Sequence, residues 1–130
     1  MVDYPIEAVT GSEPITGSTR MKSGTAQKLI CNMITTATMI KLGKVYENLM
    51  IDVQPTNQKL ISRAKHIIHE ITGIPLDEAA HYLKRYESVK KAIFAILTGV
   101  EEPERIDYYL ALEKGHLRKA IQRFESEKGK

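Results

Sequence analysis

A chain of 130 residues has room for about one domain with a real core, and none for a second large domain. Hydrophobic residues make up 42% and charged residues 27%, the range of a soluble globular protein, so disorder is excluded as the default. The 19 basic residues stand against 16 acidic ones for a formal net charge of +3, too even a balance for a nucleic-acid surface, and no nucleic-acid partner is expected.

Met1 is followed by Asp3, Pro5 and Glu7 rather than by a basic and then apolar run, so no secretory signal is expected. Residues 1–23 hold Pro5, Pro14, Gly11 and Gly17 and show no sustained periodicity. They read as an irregular lead-in with at most a short strand near Ile6 to Val9. Its end, Ile15 to Lys28, packs glycines, hydroxyls and the cations Arg20 and Lys22 directly ahead of a helical pattern. Backbone N–H groups at a glycine turn, hydroxyl donors and the positive end of a following helix suit a phosphate or carboxylate. The same residue types also cap helices and build ordinary turns, and Arg20 and Lys22 also suit a salt bridge or a solvated turn.

From Gly24 to Leu42 the spacing predicts a long helix, with Leu29, Ile30, Met33, Ile34, Ala37 and Ile40 on one broad face. Its other side carries Cys31, Met39, Leu42, Asn32 and threonines, without a charge between Lys28 and Lys41. A helix lacking a charged face is covered on both sides, and the rest of so short a chain covers only one; an outside surface is expected there. The charge-free run from Leu29 to Ile40 is too short to span a bilayer, so no membrane partner is expected. Cys31 is the sole cysteine, which rules out an intrachain disulfide and fits a reducing, cytoplasmic setting. Its place in the apolar run reads as a buried thiol, with no activating base nearby in sequence.

Gly43 stops that helix, and Lys44 to Val53 reads as an extended or irregular link ending at Pro55. Leu60, Ile61, Ala64, Ile67, Ile68 and Ile71 then predict an amphipathic helix closed by Gly73. Leu76, Ala79, Ala80 and Leu83 form a shorter one behind Pro75, with Asp77 and Glu78 at its positive end. Val89, Ala92, Ile93, Ile96 and Leu97 make a third between Ser88 and Gly99, so these short helices form a compact bundle. Pro103 introduces a further segment, Glu104 to Lys114, and after Gly115 a last helix aligns Leu117, Ala120, Ile121 and Phe124. The tail leans basic, with Lys114, Arg118, Lys119, Arg123, Lys128 and Lys130, and reads as a solvated helix face.

His66 and His69 lie three apart beside Glu70, a spacing open to metal, yet nothing completes a ligand set and no metal site is expected. Asp77 with Glu78 and Glu101 with Glu102 point in different directions on a helix, so neither pair reads as an acid/base couple.

The run Ile15 to Lys28, Asn32-Met33, Ile40 to Tyr46 and Asn48 to Asn57 closely resembles the N-acetylmuramic acid 6-phosphate etherase family. The Gly17-Ser18-Thr19-Arg20-Met21-Lys22 element is also similar, more distantly, to one in glucokinase regulatory protein, which binds sugar phosphates without chemistry. The etherase resemblance implies a cytoplasmic lyase of peptidoglycan recycling that yields N-acetylglucosamine 6-phosphate and D-lactate, without metal or organic cofactor. It implies a proton removed next to a ring-opened aldehyde, loss of lactate and addition of water, with two glutamates as acid and base. Those glutamates belong to a sugar isomerase-type α/β domain ahead of the matched region. Neither Glu7 nor Glu13 lies in a matching motif, so no catalytic residue is expected here. Ser12-Glu13-Pro14 departs from the family's usual Gly-Pro-Glu.

The expected fold is all-α: a long helix, a ubiquitin-associated-like three-helix bundle with Gly73-Ile74 at its first turn, and terminal helices. Residues 1–55 would be the edge of the sugar isomerase-type domain and residues 56–130 a helical module. Thr16, Ser18, Thr19, Arg20 and Lys22 are the expected contacts to sugar phosphate in an intact enzyme, and the chain alone is expected to be inactive. The competing readings are a non-catalytic interaction or dimerisation module and a sugar-phosphate sensor. Exposed apolar surface on the long helix leads us to expect a homo-oligomer.

Overall fold

The computed structural model describes residues 3–129; Met1, Val2 and the basic-tail residue Lys130 lie outside the described residues. The chain is all-α apart from one small ribbon, in the order α1 (Lys22–Lys41), β1 (Val45–Tyr46), β2 (Leu49–Met50), α2 (Gln58–Thr72), α3 (Leu76–Tyr86), α4 (Val89–Thr98), α5 (Pro103–Leu112) and α6 (Leu117–Lys128). It divides into two compact units, Met1–Thr38 and Met39–Lys130.

The first unit is the lead-in and most of α1. The lead-in is irregular, as expected, and the short strand allowed at residues 6–9 does not form, because the described residues offer that segment no strand to pair with. The helix starts at Lys22 rather than at Gly24 and contains no buried residue. Leu29 and Ile34 are each 50% exposed and Met33 is 62% exposed, so the face with the best apolar spacing meets solvent. Cys31 is exposed too, which corrects the expectation of a buried thiol; an apolar run buries a side chain only where another layer covers it. The threonines on the uncharged side satisfy their hydroxyls on the helix itself. Thr35 Oγ1 donates to the Cys31 carbonyl at 2.9 Å and Thr38 Oγ1 to the Ile34 carbonyl at 2.8 Å.

In the second unit Gly43, at φ +67°, turns the chain out of α1. Residues 44–53, expected as an extended or irregular link, are extended and pair with themselves as a hairpin, with Val45 opposite Met50 and Tyr46 opposite Leu49. The Ile51 N–H donates to the Lys44 carbonyl at 3.0 Å and extends the ribbon, delivering Ile51, 1% exposed, to the core. Asn57 caps α2 by accepting the Leu60 N–H on Oδ1 at 2.9 Å, and the helix ends at Gly73 in a left-handed conformation.

Helices α2, α3 and α4 pack against one another as the three-helix bundle expected from their spacing. The terminal helices do more than trail behind it. Helices α5 and α6 pack on each other and both pack on α4, so α4 is shared by two three-helix sets. Its sequence explains this: Val89, Ala92, Ile93, Phe94 and Ala95 are all buried, an apolar surface wider than a single stripe, and the polar residues are confined to Lys90, Lys91 and Thr98. On the α5–α6 side the ring of Phe94 lies 6.0 Å from Tyr109 and 6.0 Å from Phe124, and Tyr109 meets Phe124 edge-on at 5.4 Å.

Candidate functional site

The segment that carries the anion-binding residue types is a loop pinned at both ends to the start of α1. Glu13 is its anchor. One carboxylate oxygen, Oε2, accepts the Lys22 N–H at 3.1 Å, and Oε1 accepts the Ser23 N–H at 3.0 Å. These are orphan donors of a helix start, and a carboxylate there is favoured by the helix dipole as well. Hydrogen bonds from Ser23 and then Lys22 hold the Glu13 carboxyl below its ordinary range. Lys22 Nζ donates to the Ser12 carbonyl at 2.7 Å, and Thr10 Oγ1 lies 3.2 Å from Ser23 Oγ.

Between those anchors the chain turns at Gly17, φ +84°, with the Ser18 N–H donating to the Ile15 carbonyl at 3.1 Å. The Gly24 N–H donates to the Thr19 carbonyl at 2.9 Å, which ties the end of the loop to the helix. Thr16, Thr19 and Arg20 are exposed and Ser18 is half-buried. Arg20 is in none of the ion pairs among the described residues, whose acidic partners are Glu47, Asp52, Glu101, Asp107, Glu113 and Glu127. Of the five residues singled out in the sequence, Thr16, Ser18, Thr19 and Arg20 lie on one short loop and make no side-chain hydrogen bond among the described residues, while Lys22 spends its ammonium on that loop's own backbone. Glu13 and Ser23 were missed. The signal for Glu13 is faint, since it caps from nine residues upstream across a loop rather than from the usual position three residues away.

The remaining titratable groups serve the scaffold. His66 Nδ1 lies 2.8 Å from the Ser62 carbonyl and His69 Nδ1 lies 2.7 Å from the Ile74 carbonyl. No group of three or more His, Cys, Asp or Glu side chains able to hold a metal occurs among the described residues. Asp52 bridges two lysines, with Oδ2 2.9 Å from Lys44 Nζ and Oδ1 3.8 Å from Lys90 Nζ. The bond from Lys44 holds the Asp52 carboxyl below its ordinary range, while burial pushes the Lys90 ammonium down.

No family model matches the chain. Individual relatives do. A protein of Clostridioides difficile (strain 630) named N-acetylmuramic acid 6-phosphate etherase is 48% identical over 124 residues, which is 95% of this chain and 40% of that protein. Proteins of the same name from an Exiguobacterium species and from Bacillus cereus are each 52% identical, over 92% and 89% of the chain and 40% of their own length. The chain is homologous to a part of the N-acetylmuramic acid 6-phosphate etherases. It spans about two fifths of the length of the curated relatives it matches. Because that match covers nearly the whole chain, both the Glu13-anchored loop and the double bundle fall within the region shared with the etherases.

Proposed function

We propose that the chain is the C-terminal portion of a lyase that cleaves the D-lactyl ether of N-acetylmuramic acid 6-phosphate, releasing N-acetylglucosamine 6-phosphate and D-lactate. The identity of about half the residues with proteins of that name supports the reading. In it, Thr16, Ser18, Thr19 and Arg20 face the sugar phosphate, the hydroxyls as hydrogen-bond partners and the guanidinium as a two-pronged grip on phosphate oxygens. Lys22 braces the same loop and adds positive charge near it. The observation that carries the assignment is the exposed Arg20, in no ion pair among the described residues, on a loop whose ends are fixed.

The acid and base of the reaction belong to a preceding α/β domain of the sugar isomerase type, so the chain alone is inactive. That domain also supplies the layer that covers the uncharged flank of α1, with residues 1–55 at its edge and residues 56–130 as a ubiquitin-associated-like helical module. Left without the layer, the chain self-associates through the apolar face of α1. The enzyme works in the cytoplasm without metal or cofactor; among the described residues no helix is long and apolar enough to cross a membrane.

The test joins this chain to the remaining part of the Clostridioides difficile relative and measures D-lactate release from N-acetylmuramic acid 6-phosphate. Activity in the joined protein and none in the chain alone is expected. An Arg20→Ala variant that kept both kcat and KM would defeat the site assignment.

A further inference from the structure

We infer that Glu13 is a positioning residue, which shapes the Thr16–Arg20 loop for its ligand and at the same time denies the start of α1 to that ligand's anion. The inference rests on the proposed sugar-phosphate reading of the loop. Its geometric basis is the paired contact of one carboxylate with two successive backbone N–H groups, at 3.1 Å to Lys22 and 3.0 Å to Ser23. A glycine- and hydroxyl-rich loop ahead of a helix ordinarily offers those N–H groups to a bound phosphate. Here they are spent on a side chain of the same protein.

Two consequences follow. First, residues 14–21 are closed into a loop by contacts at its base, reinforced by Lys22 Nζ on the Ser12 carbonyl at 2.7 Å. The backbone that carries Arg20 and the hydroxyls is thereby held before a ligand arrives, and a ligand need not supply that part of the ordering entropy. Second, a phosphate approaching the helix start meets a carboxylate held ionised by its hydrogen bonds, and two anions do not share one pair of donors. The charge of the ligand is therefore met by Arg20 and the Thr16, Ser18 and Thr19 hydroxyls, away from the helix axis.

The inference is tested in the joined protein described above, with three variants. Glu13→Ala is expected to raise KM for N-acetylmuramic acid 6-phosphate about tenfold with a smaller change in kcat, because a loop ordered only by ligand charges that ordering against binding. Glu13→Gln keeps the shape and one acceptor while turning an NH2 group toward the second N–H, so its KM lies between the two. The Ala variant also frees both N–H groups, and competitive inhibition by inorganic phosphate becomes tighter than in the unsubstituted enzyme. Arg20→Ala is the reference for the underlying reading. A raised KM for Arg20→Ala beside an unchanged KM and unchanged phosphate inhibition for Glu13→Ala overturns the positioning role alone. No change in KM for either variant overturns the loop's assignment and the positioning role with it. A fall in kcat in proportion to lost folded protein, with KM constant, marks Glu13 as a stabilising cap only and likewise overturns the inference.

Discussion

Gly43 and Gly115 touch through their backbones: a Cβ built on Gly43 would lie 2.8 Å from both the carbonyl carbon and the oxygen of Gly115. The turn that leaves α1 is thus seated directly on the turn between α5 and α6, and His116 Nε2, 3.0 Å from the Lys41 carbonyl, closes the same corner. Gly43→Ala meets two obstacles there. A side chain at φ +67° costs about 1–2 kcal/mol, and forcing the two backbones apart adds about 1–3 kcal/mol. Gly73, at φ +76° with nothing within 4 Å of a built Cβ, isolates the first cost. Urea denaturation should show the Gly43→Ala midpoint well below that of Gly73→Ala; equal midpoints would mean that the contact with Gly115 yields easily.

A shared α4 implies that the two helix sets unfold together. Ile93 and Phe94 are adjacent and both wholly buried, and Phe94 packs toward the rings of Tyr109 and Phe124. Truncating Ile93 to alanine is expected to cost about 2–5 kcal/mol and Phe94 to alanine about 3–5 kcal/mol. In each variant helix content by circular dichroism and tyrosine fluorescence should fall in one coincident transition. Separate transitions for the two signals in Phe94→Ala would show that α5 and α6 detach on their own.

The N-caps of α2 and α4 differ in closeness. Asn57 Oδ1 accepts the Leu60 N–H at 2.9 Å, whereas Ser88 Oγ lies 3.5 Å from the Lys91 nitrogen. Asn57→Ala is expected to lose about 1 kcal/mol and Ser88→Ala less. Thermal melting of the two variants side by side checks the order.

Much of the helical layout was legible, and the reason is local. In α2 the apolar residues Leu60, Ile61, Ala64, Ile67 and Ile68 repeat at helical spacing between Asn57 and Gly73, so stripe, start and stop agree. The bare flank of α1 was equally plain, and none of its residues is buried. What escaped was non-local. Two-residue strands are too short to show alternation, and their turn is made by Glu47 at φ +53° and Asn48 rather than by a glycine pair, so the ribbon left no hairpin signature. Sharing of α4 was written in its composition, since Ile93, Phe94 and Ala95 widen its apolar surface beyond one stripe, but which helices cover the second side is decided by packing. In the site, Arg20 and the hydroxyls were visible as residue types, while Glu13 was hidden because its role arises only when the loop folds back. The runs Ile40 to Tyr46 and Asn48 to Asn57, which carried much of the resemblance, turn out to hold scaffold parts: Gly43, the Lys44–Asp52 pair and the Asn57 cap.

Acid should weaken the Asp52 corner. Its carboxyl is held down chiefly by the hydrogen bond from Lys44, so the folded state prefers the ionised form more than the unfolded chain does. The resulting stabilisation is complete above the unfolded carboxylate value of about 3.9 and disappears as pH falls through the lower folded value. Asp52→Asn removes that contribution at neutral pH, so its stability deficit against the unsubstituted chain should shrink as both are taken to low pH. Urea midpoints measured across the acid range test this; a deficit that stayed constant would place the effect in packing rather than in charge.

Lys90 makes the same corner asymmetric. Its side chain is only 14% exposed, burial pushes its ammonium down, and Asp52 offsets part of that penalty from 3.8 Å. Removing the partner and removing the lysine should therefore differ in effect. Asp52→Ala leaves a desolvated ammonium next to Lys44 without its counter-charge and is expected to cost more than the about 0.2–1 kcal/mol of an exposed pair. Lys90→Met keeps most of the aliphatic stem and removes the charge, so it should be close to neutral or mildly stabilising. In the double variant the cost of Asp52→Ala should fall to the part owed to Lys44, a coupling that a double-mutant cycle reads directly. Additive single effects would mean that Lys90 and Asp52 do not sense each other, and that Lys44 alone pairs with Asp52 across the base of the ribbon.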